Sequence, residues 1–286
     1  MVAGVGEPGT PPRGCCDLTA ATEDYLKAIF HLEVEAGAAT TSAVAGRVDV
    51  SPASASAMLR RLRETGLLAT APGRAVTLTE HGRRHALSVV RRHRLVETLL
   101  ARVLELPWDE VHAEAEVLEH VISPALEERI ATFLGQPTHD PHGDPIPPRD
   151  GEHDEAWPDP LEVAPEGATF RVERVSDRDS DALRYLDELG VRPGCRVHVG
   201  AREPFGGPVW VEVDGRERAL GRPLARVVYG RVEDTGDPTG AADRTGATGA
   251  PGAADAPNVT EAAAAAHEAP VDPVDPDAPS PQRSHP

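Results

Sequence analysis

Apolar residues first settle into a helical rhythm at Tyr25, Leu26, Ile29, Phe30 and Leu32, which predicts a helix capped by Thr22 and ended by Gly37. A short helix over Ser42 to Val48 is expected next. After a brief turn comes SPASASAMLRRLRETG, where Ser51 has N-cap chemistry, Pro52 suits the first helical turn and Gly66 stops the run. Two helices joined by a tight turn predict a helix-turn-helix. Beyond Gly66 the period shortens to two, and LLATAPGRAVTLT reads as two short strands around Pro72-Gly73, a β-hairpin wing. Helical spacing returns at Thr79, which caps a long helix to about Glu105; a second helix runs from Asp109 to Ile122 and a third from Ser123-Pro124 to Gly135. The Pro-, Asp- and His-rich stretch that follows reads as a linker. Then FRVERV, RVHVG, VWVEV and LARVVYG alternate apolar with polar around an Asp214-Gly215 turn, predicting a small β-barrel.

The expected fold is therefore mainly α with a small β domain. Its parts are a winged helix-turn-helix over 19–79, a helical domain over 80–138, a linker over 139–165 and the barrel over 166–234. Residues 1–18 and the acidic end 235–286 lack the large apolar side chains a core needs and are expected to be disordered. With 28 Pro and 26 Gly among 286 residues, the ordered part must be smaller than the chain.

Charge changes this picture in one region. The chain carries a net charge of −18, which repels nucleic acid, yet between Thr41 and Arg94 ten arginines face only Asp49, Glu64 and Glu80, a local balance of +7. Cys15, Cys16 and Cys195 form no CxxC pair and no even framework, so neither a zinc ribbon nor a disulfide scaffold is indicated. The first residues lack a signal peptide's apolar run and no stretch is long enough to span a membrane, so a cytoplasmic, reduced location is expected.

The helices after the wing carry the chemistry. His93 and Glu97, four residues apart, share one helical face; His112, Glu116, Glu119 and His120 line a single stripe on the next helix. Any one of them reads as an ordinary polar helix residue. Six in register point to a divalent cation, because packing that many carboxylates together without one costs repulsion and desolvation.

TEDYLKAIFHL, the Ser-Pro helix with ETGLLATAPGRAVTLTEHG behind it, RRHRLVETLL, EAEVLEHVIS and PHGDPIP occur in order from Thr22 to Pro147. Together they resemble the diphtheria-toxin-repressor family of iron- and manganese-dependent repressors, and the terminal barrel resembles that family's SH3-like, ferrous-transport-A-like domain. The resemblance implies a metal-dependent repressor of metal-homeostasis genes that binds double-stranded operator DNA as a homodimer. It implies a primary metal site of Asp24, Glu116, Glu119 and His120. It also implies an ancillary site of His93, Glu97 and His112, with Asp179 as the barrel carboxylate and Ala182 where an amide ligand is usual. Iron-responsive relatives place sulfur at the positions of Asp24 and Glu116; carboxylate oxygens suit Mn²⁺, with Fe²⁺ the alternative. Lys27 stands where relatives with a paired-metal site carry a glutamate, so a tightly coupled pair is not expected.

For DNA, the presumed recognition helix offers Ser51, Ser54, Ser56 and Arg60 but no Asn or Gln for bidentate adenine contacts, so phosphate contacts and groove shape should weigh more than base readout. Thr41, Ser42 and wing residue Arg74 are the expected positioning residues. Ser51 is equally explained as helix-start chemistry. Two other classes compete: a metallohydrolase, which would need an accessible pocket with a free base and finds no HExxH here, and a metal-independent winged-helix regulator whose His and Glu residues are only surface.

Overall fold

The computed structural model describes residues 18–69, 75–149, 153, 155 and 157–233. Readings that fall on 1–17, on 234–286 and on the wing tip with Arg74 lie outside the described residues. The head begins with α1 (Ala20–Ala36), β1 (Ala39–Thr40), α2 (Thr41–Arg47), α3 (Pro52–Glu64) and β2 (Ala75–Val76). The cap of α1 is Thr19, one turn before the expected Thr22, whose own N–H donates to the Thr19 hydroxyl. Ser51 caps α3, accepting from the N–H of Ser54. One side of each helix is apolar, and Leu26, Ile29, Phe30, Val44, Ala55, Leu59, Leu62 and Val90 close over a common core. The arms of the expected wing are joined by an antiparallel bridge between Leu68 and Leu78, and β2 also pairs with β1, a contact that local alternation does not reveal.

The helical domain consists of α4 (Glu80–Val103), α5 (Val111–Leu118) and α6 (Pro124–Phe133). Thr79 caps α4, and Gly82 in its first turn is required sterically: a Cβ there would lie 2.1 Å from the Leu67 carbonyl oxygen. α5 is shorter at both ends than its pattern suggested, so Glu119 sits at its C-cap and His120 just beyond it. The stretch after α6 is not a free tether. Asp140, His142, Asp144 and Ile146 are buried, Arg94 donates to the Pro145 carbonyl, and Arg91 donates to that of Pro147. Gly143 permits this path, since at φ +89° a Cβ would meet the Glu173 carbonyl oxygen at 2.0 Å.

The β domain comprises β3 (Asp159–Pro160), β4 (Thr169–Val175), α7 (Ser180–Glu188), β5 (Arg196–Arg202), β6 (Val209–Val213), β7 (Arg216–Leu220), α8 (Arg222–Val227) and β8 (Val228–Glu233). Its six strands are antiparallel neighbours in the order β3-β8-β4-β5-β6-β7. Only the second half of LARVVYG is strand; its first half is α8, where Pro223 at the helix start follows Gly221. Alternate residues Phe170, Val172, Val197, Val199, Val209, Val211 and Val213 fill the interior. Trp108, from the α4–α5 connection, belongs to this same core and so fastens the β domain to the helical domain. Among the described residues no helix is long and apolar enough to cross a membrane.

Candidate metal centre

Asp24 stands half-exposed in the first turns of α1, and at the end of α5 it meets His120, whose Nε2 lies 2.9 Å from Asp24 Oδ1 and 3.5 Å from Glu119 Oε1. Glu23 orients this imidazole by holding its Nδ1 at 2.6 Å. Arg92 fixes both partners, donating to Glu23 at 2.7 Å and to the Glu119 carbonyl at 2.8 Å. Such an outer carboxylate sets the ring's orientation and its basicity as a ligand. Asp24, Glu119 and His120 thus bring three ligand atoms together, whereas Glu116 turns toward His93 and Glu119 and is ion-paired to Lys27 at 2.7 Å.

Adjoining it, through the contact of His93 with Glu119, lies a second cluster of His93, Glu97, His112 and Asp177. His93 Nε2 is 2.9 Å from Glu97 Oε1, and His112 Nδ1 is 3.1 Å from that oxygen and 3.0 Å from Asp177 Oδ2. The expected barrel ligand Asp179 is not among them. Its carboxylate caps α7, accepting from the N–H groups of Asp181 and Ala182, and the acid that reaches the cluster is Asp177, two residues earlier. The turn before a helix offers several acidic residues, and only the path of the chain decides which is spent on the cap. The neighbouring Arg178 grips Glu35 near the end of α1, and Glu35 also takes a bidentate contact from Arg47 of α2 at 2.9 and 3.2 Å. One short segment therefore touches both the ligand cluster and the head.

A third group joins Glu97, already expected as an ancillary ligand, to Asp140 and His142, which the sequence reading did not single out. His142 is fully buried and its Nε2 is 2.7 Å from the Trp108 carbonyl, an oxygen that accepts only, so the ring nitrogen there carries hydrogen. Its Nδ1 then faces Glu97 Oε2 at 3.7 Å, and neither atom, nor Asp140 Oδ2, has a hydrogen-bond partner. Burial works against a charge on His142, but the neighbouring Glu97 and Asp140 outweigh it and lift its pKa to about 10, so a proton sits where a cation shared by Glu97, Asp140 and His142 would bind. The signal was present as an acid and an imidazole at alternate positions of DPHGD, in a turn that reads locally as linker.

The electrostatics of these side chains point the same way. Burial pushes His93 toward its neutral form, but Glu97 and Glu119 outweigh that and lift its pKa to about 9. His112, opposed by burial and favoured by Asp177 and Glu97, rises to about 11. Glu97 is held well below the usual carboxylate range, since its three histidines outweigh the burial that would raise it. Protons thus occupy the places a divalent ion would take. An imidazolium with a raised pKa contributes stability in full below the unfolded value of about 6.5 and loses it as pH rises through the folded one. In chelator the melting temperature should therefore fall between pH 6.5 and 9. With Mn²⁺ present that fall should disappear, because affinity grows as the protons leave. A chelated protein whose melting temperature is flat across that window would contradict this charge assignment.

Of the residues assigned to DNA, those among the described residues lie at the start of α2 and on or next to α3 of the head. Ser42, Ser51, Ser54, Ser56 and Arg60 are exposed and Thr41 is half-buried. Ser51 and Ser56 are engaged locally, the first as a cap and the second by donating to the Pro52 carbonyl at 2.8 Å. The Ser54 hydroxyl is paired with that of Ser51 at 2.9 Å, which leaves Ser42 and Arg60 freest to face a ligand.

Comparison with known families matches residues 17–76 to the iron dependent repressor, N-terminal DNA binding domain, residues 79–148 to the iron dependent repressor, metal binding and dimerisation domain, and residues 160–232 to the FeoA domain. The iron-dependent repressor IdeR of Mycobacterium tuberculosis is 38% identical over 215 residues, 70% of this chain and 92% of its own length. The diphtheria toxin repressor of Corynebacterium diphtheriae is 30% identical over 228 residues, 76% of this chain and 99% of its own. Among solved structures, a manganese-dependent transcriptional repressor in complex with manganese aligns with a TM-score of 0.70 at 42% identity, covering 74% of this chain and 100% of the other.

Proposed function

The chain belongs to the iron-dependent repressor family of DNA-binding transcriptional repressors, and from that premise we propose that it is a metal-activated repressor that binds operator DNA as a homodimer in the cytoplasm. The observation that carries this reading is the meeting of Asp24, from the DNA-binding head, with Glu119 and His120, from the helical domain, at ligand distance. When bound, a divalent cation supplies the positive charge that lets these carboxylates lie together. Asp24 then ties α1 to the end of α5. The side of α1 opposite Asp24 carries Ile29 and Phe30, which share a core with Val44 of α2 and Leu59 of α3, so fixing α1 fixes the direction in which α3 presents Ser54 and Arg60. Glu97, His93, His112 and Asp177, with Asp140 and His142 behind them, form an ancillary site that adds the β domain to the same closure.

Every donor in these groups is oxygen or imidazole nitrogen, with no sulfur. Hard carboxylates favour Mn²⁺ as the effector over softer ions, with Fe²⁺ second. Support for a second copy comes from the helical domain, where Val117, Val121 and Phe133 are 69%, 76% and 71% exposed on α5, α6 and the turn between them. Two heads related by a twofold axis offer recognition helices about 34 Å apart, or a multiple of that, so the operator should be near-palindromic. Titrating a labelled near-palindromic duplex with protein in Mn²⁺, in Fe²⁺ and in chelator should give tight binding only with metal and a symmetric footprint. Operator binding that ignores the chelator would overturn the reading.

A further inference from the structure

Lys27 lies one helical turn from Asp24 on α1 and extends its side chain, 12% exposed, onto the carboxylates of α5. Its Nζ is 2.7 Å from Glu116 Oε1 and 2.7 and 2.9 Å from the two oxygens of Glu119, a carboxylate with no exposed side-chain surface. Glu119 Oε2 also holds His93 Nδ1, so both of its oxygens are engaged by positive or hydrogen-bearing groups. These are not peripheral oxygens. Glu119 belongs with Asp24 and His120 to one candidate ligand group, and with His93 and Glu116 to another.

We propose that the Lys27 ammonium is a built-in counter-cation that ties α1 to α5 in the metal-free protein and must withdraw from Glu116 and Glu119 before they can take a divalent ion, so that this residue sets the metal concentration at which the protein responds. The inference rests on the metal-activated reading above. Three observations carry it. The ammonium is the only Lys or Arg side chain in direct ion-pair contact with Glu116 or Glu119 among the described residues, and it bridges the same two helices that Asp24 and His120 bridge. A divalent ion brought to Glu119 while the ammonium stayed would face an unscreened like charge in a largely dry site. A cavity of about 760 Å³ beside Lys27, with Asp49 in its wall, gives the flexible four-carbon stem somewhere to go and an anionic residue there. An arginine-like rigid fork would not withdraw so readily.

The test measures Mn²⁺ binding by calorimetry in the full chain for wild type, Lys27→Met, Lys27→Gln and Lys27→Arg, with thermal melts in chelator and in excess Mn²⁺. Without the competing charge, Lys27→Met and Lys27→Gln should bind Mn²⁺ about tenfold more tightly, melt lower than wild type in chelator, and match it once loaded. Lys27→Arg should keep wild-type or weaker affinity. A neutral variant that binds Mn²⁺ no more tightly than wild type, or that melts like it in chelator, would overturn the counter-cation role while leaving the metal-activated reading in place. Absence of Mn²⁺ and Fe²⁺ binding by the wild-type protein would overturn both.

Discussion

Asp24→Ala is expected to lose metal-dependent operator binding by about a hundredfold or more while leaving the fold and the dimer intact. The side chain is half-exposed at the edge of α1 and takes no part in the head core, so its removal opens no cavity. What it removes is the one ligand contributed by the DNA-binding head to the group completed by Glu119 and His120. Without that link the head keeps its structure but not its fixed relation to the helical domain. Metal can favour the DNA-competent arrangement only through a difference in affinity between arrangements, and a hundredfold difference amounts to about 2.7 kcal/mol. Operator anisotropy titrations with and without Mn²⁺, run on wild type, Asp24→Ala and His93→Ala with dimer mass measured in parallel, decide the matter. His93→Ala should cost less in metal response, since the ancillary group can only reinforce the closure. An Asp24→Ala protein that responds fully to Mn²⁺ would end the mechanism.

Trp108→Ala should destabilise the chain by about 3–5 kcal/mol, the range for truncating a buried large aromatic. The indole is 5% exposed, sits in the β-domain core, stacks on His142 at 5.7 Å between ring centres, and carries the Arg192 guanidinium over its face at 5.1 Å. Its backbone carbonyl holds the His142 ring. Truncation therefore removes the apolar peg between two domains and frees the segment that aims Asp177 at His112. Denaturant unfolding should show the loss, and limited proteolysis should cut the 137–165 stretch more rapidly than in wild type. A variant with unchanged unfolding free energy would mean that the two domains are held together elsewhere. Trp108→Phe should cost far less.

Local pattern was enough for much of this molecule. The helices, most of their Thr and Ser caps, the helix-turn-helix and most of the alternating strands follow from periodicities of 3.6 and 2 and from side chains that bond their own backbone, interactions confined to a few neighbouring residues. For the same reason His93 with Glu97, and His112 with the acids of α5, were legible as stripes: four residues along a helix is also one turn in space. Pairings between distant segments were not legible. Which acid of the 177–181 turn caps α7 and which reaches His112, whether DPHGD is a tether or a buried acid–imidazole pair, and whether Lys27 points to solvent or onto Glu116 and Glu119 depend on what the rest of the chain sets opposite them. Desolvation and charge neutralisation act between groups some ninety residues apart along the chain, as Lys27 and Glu119 are. The sequence thus determined which side chains were available for a cation on each helix; the tertiary structure alone decided which face one another, because only packing removes the water that would otherwise keep those charges apart.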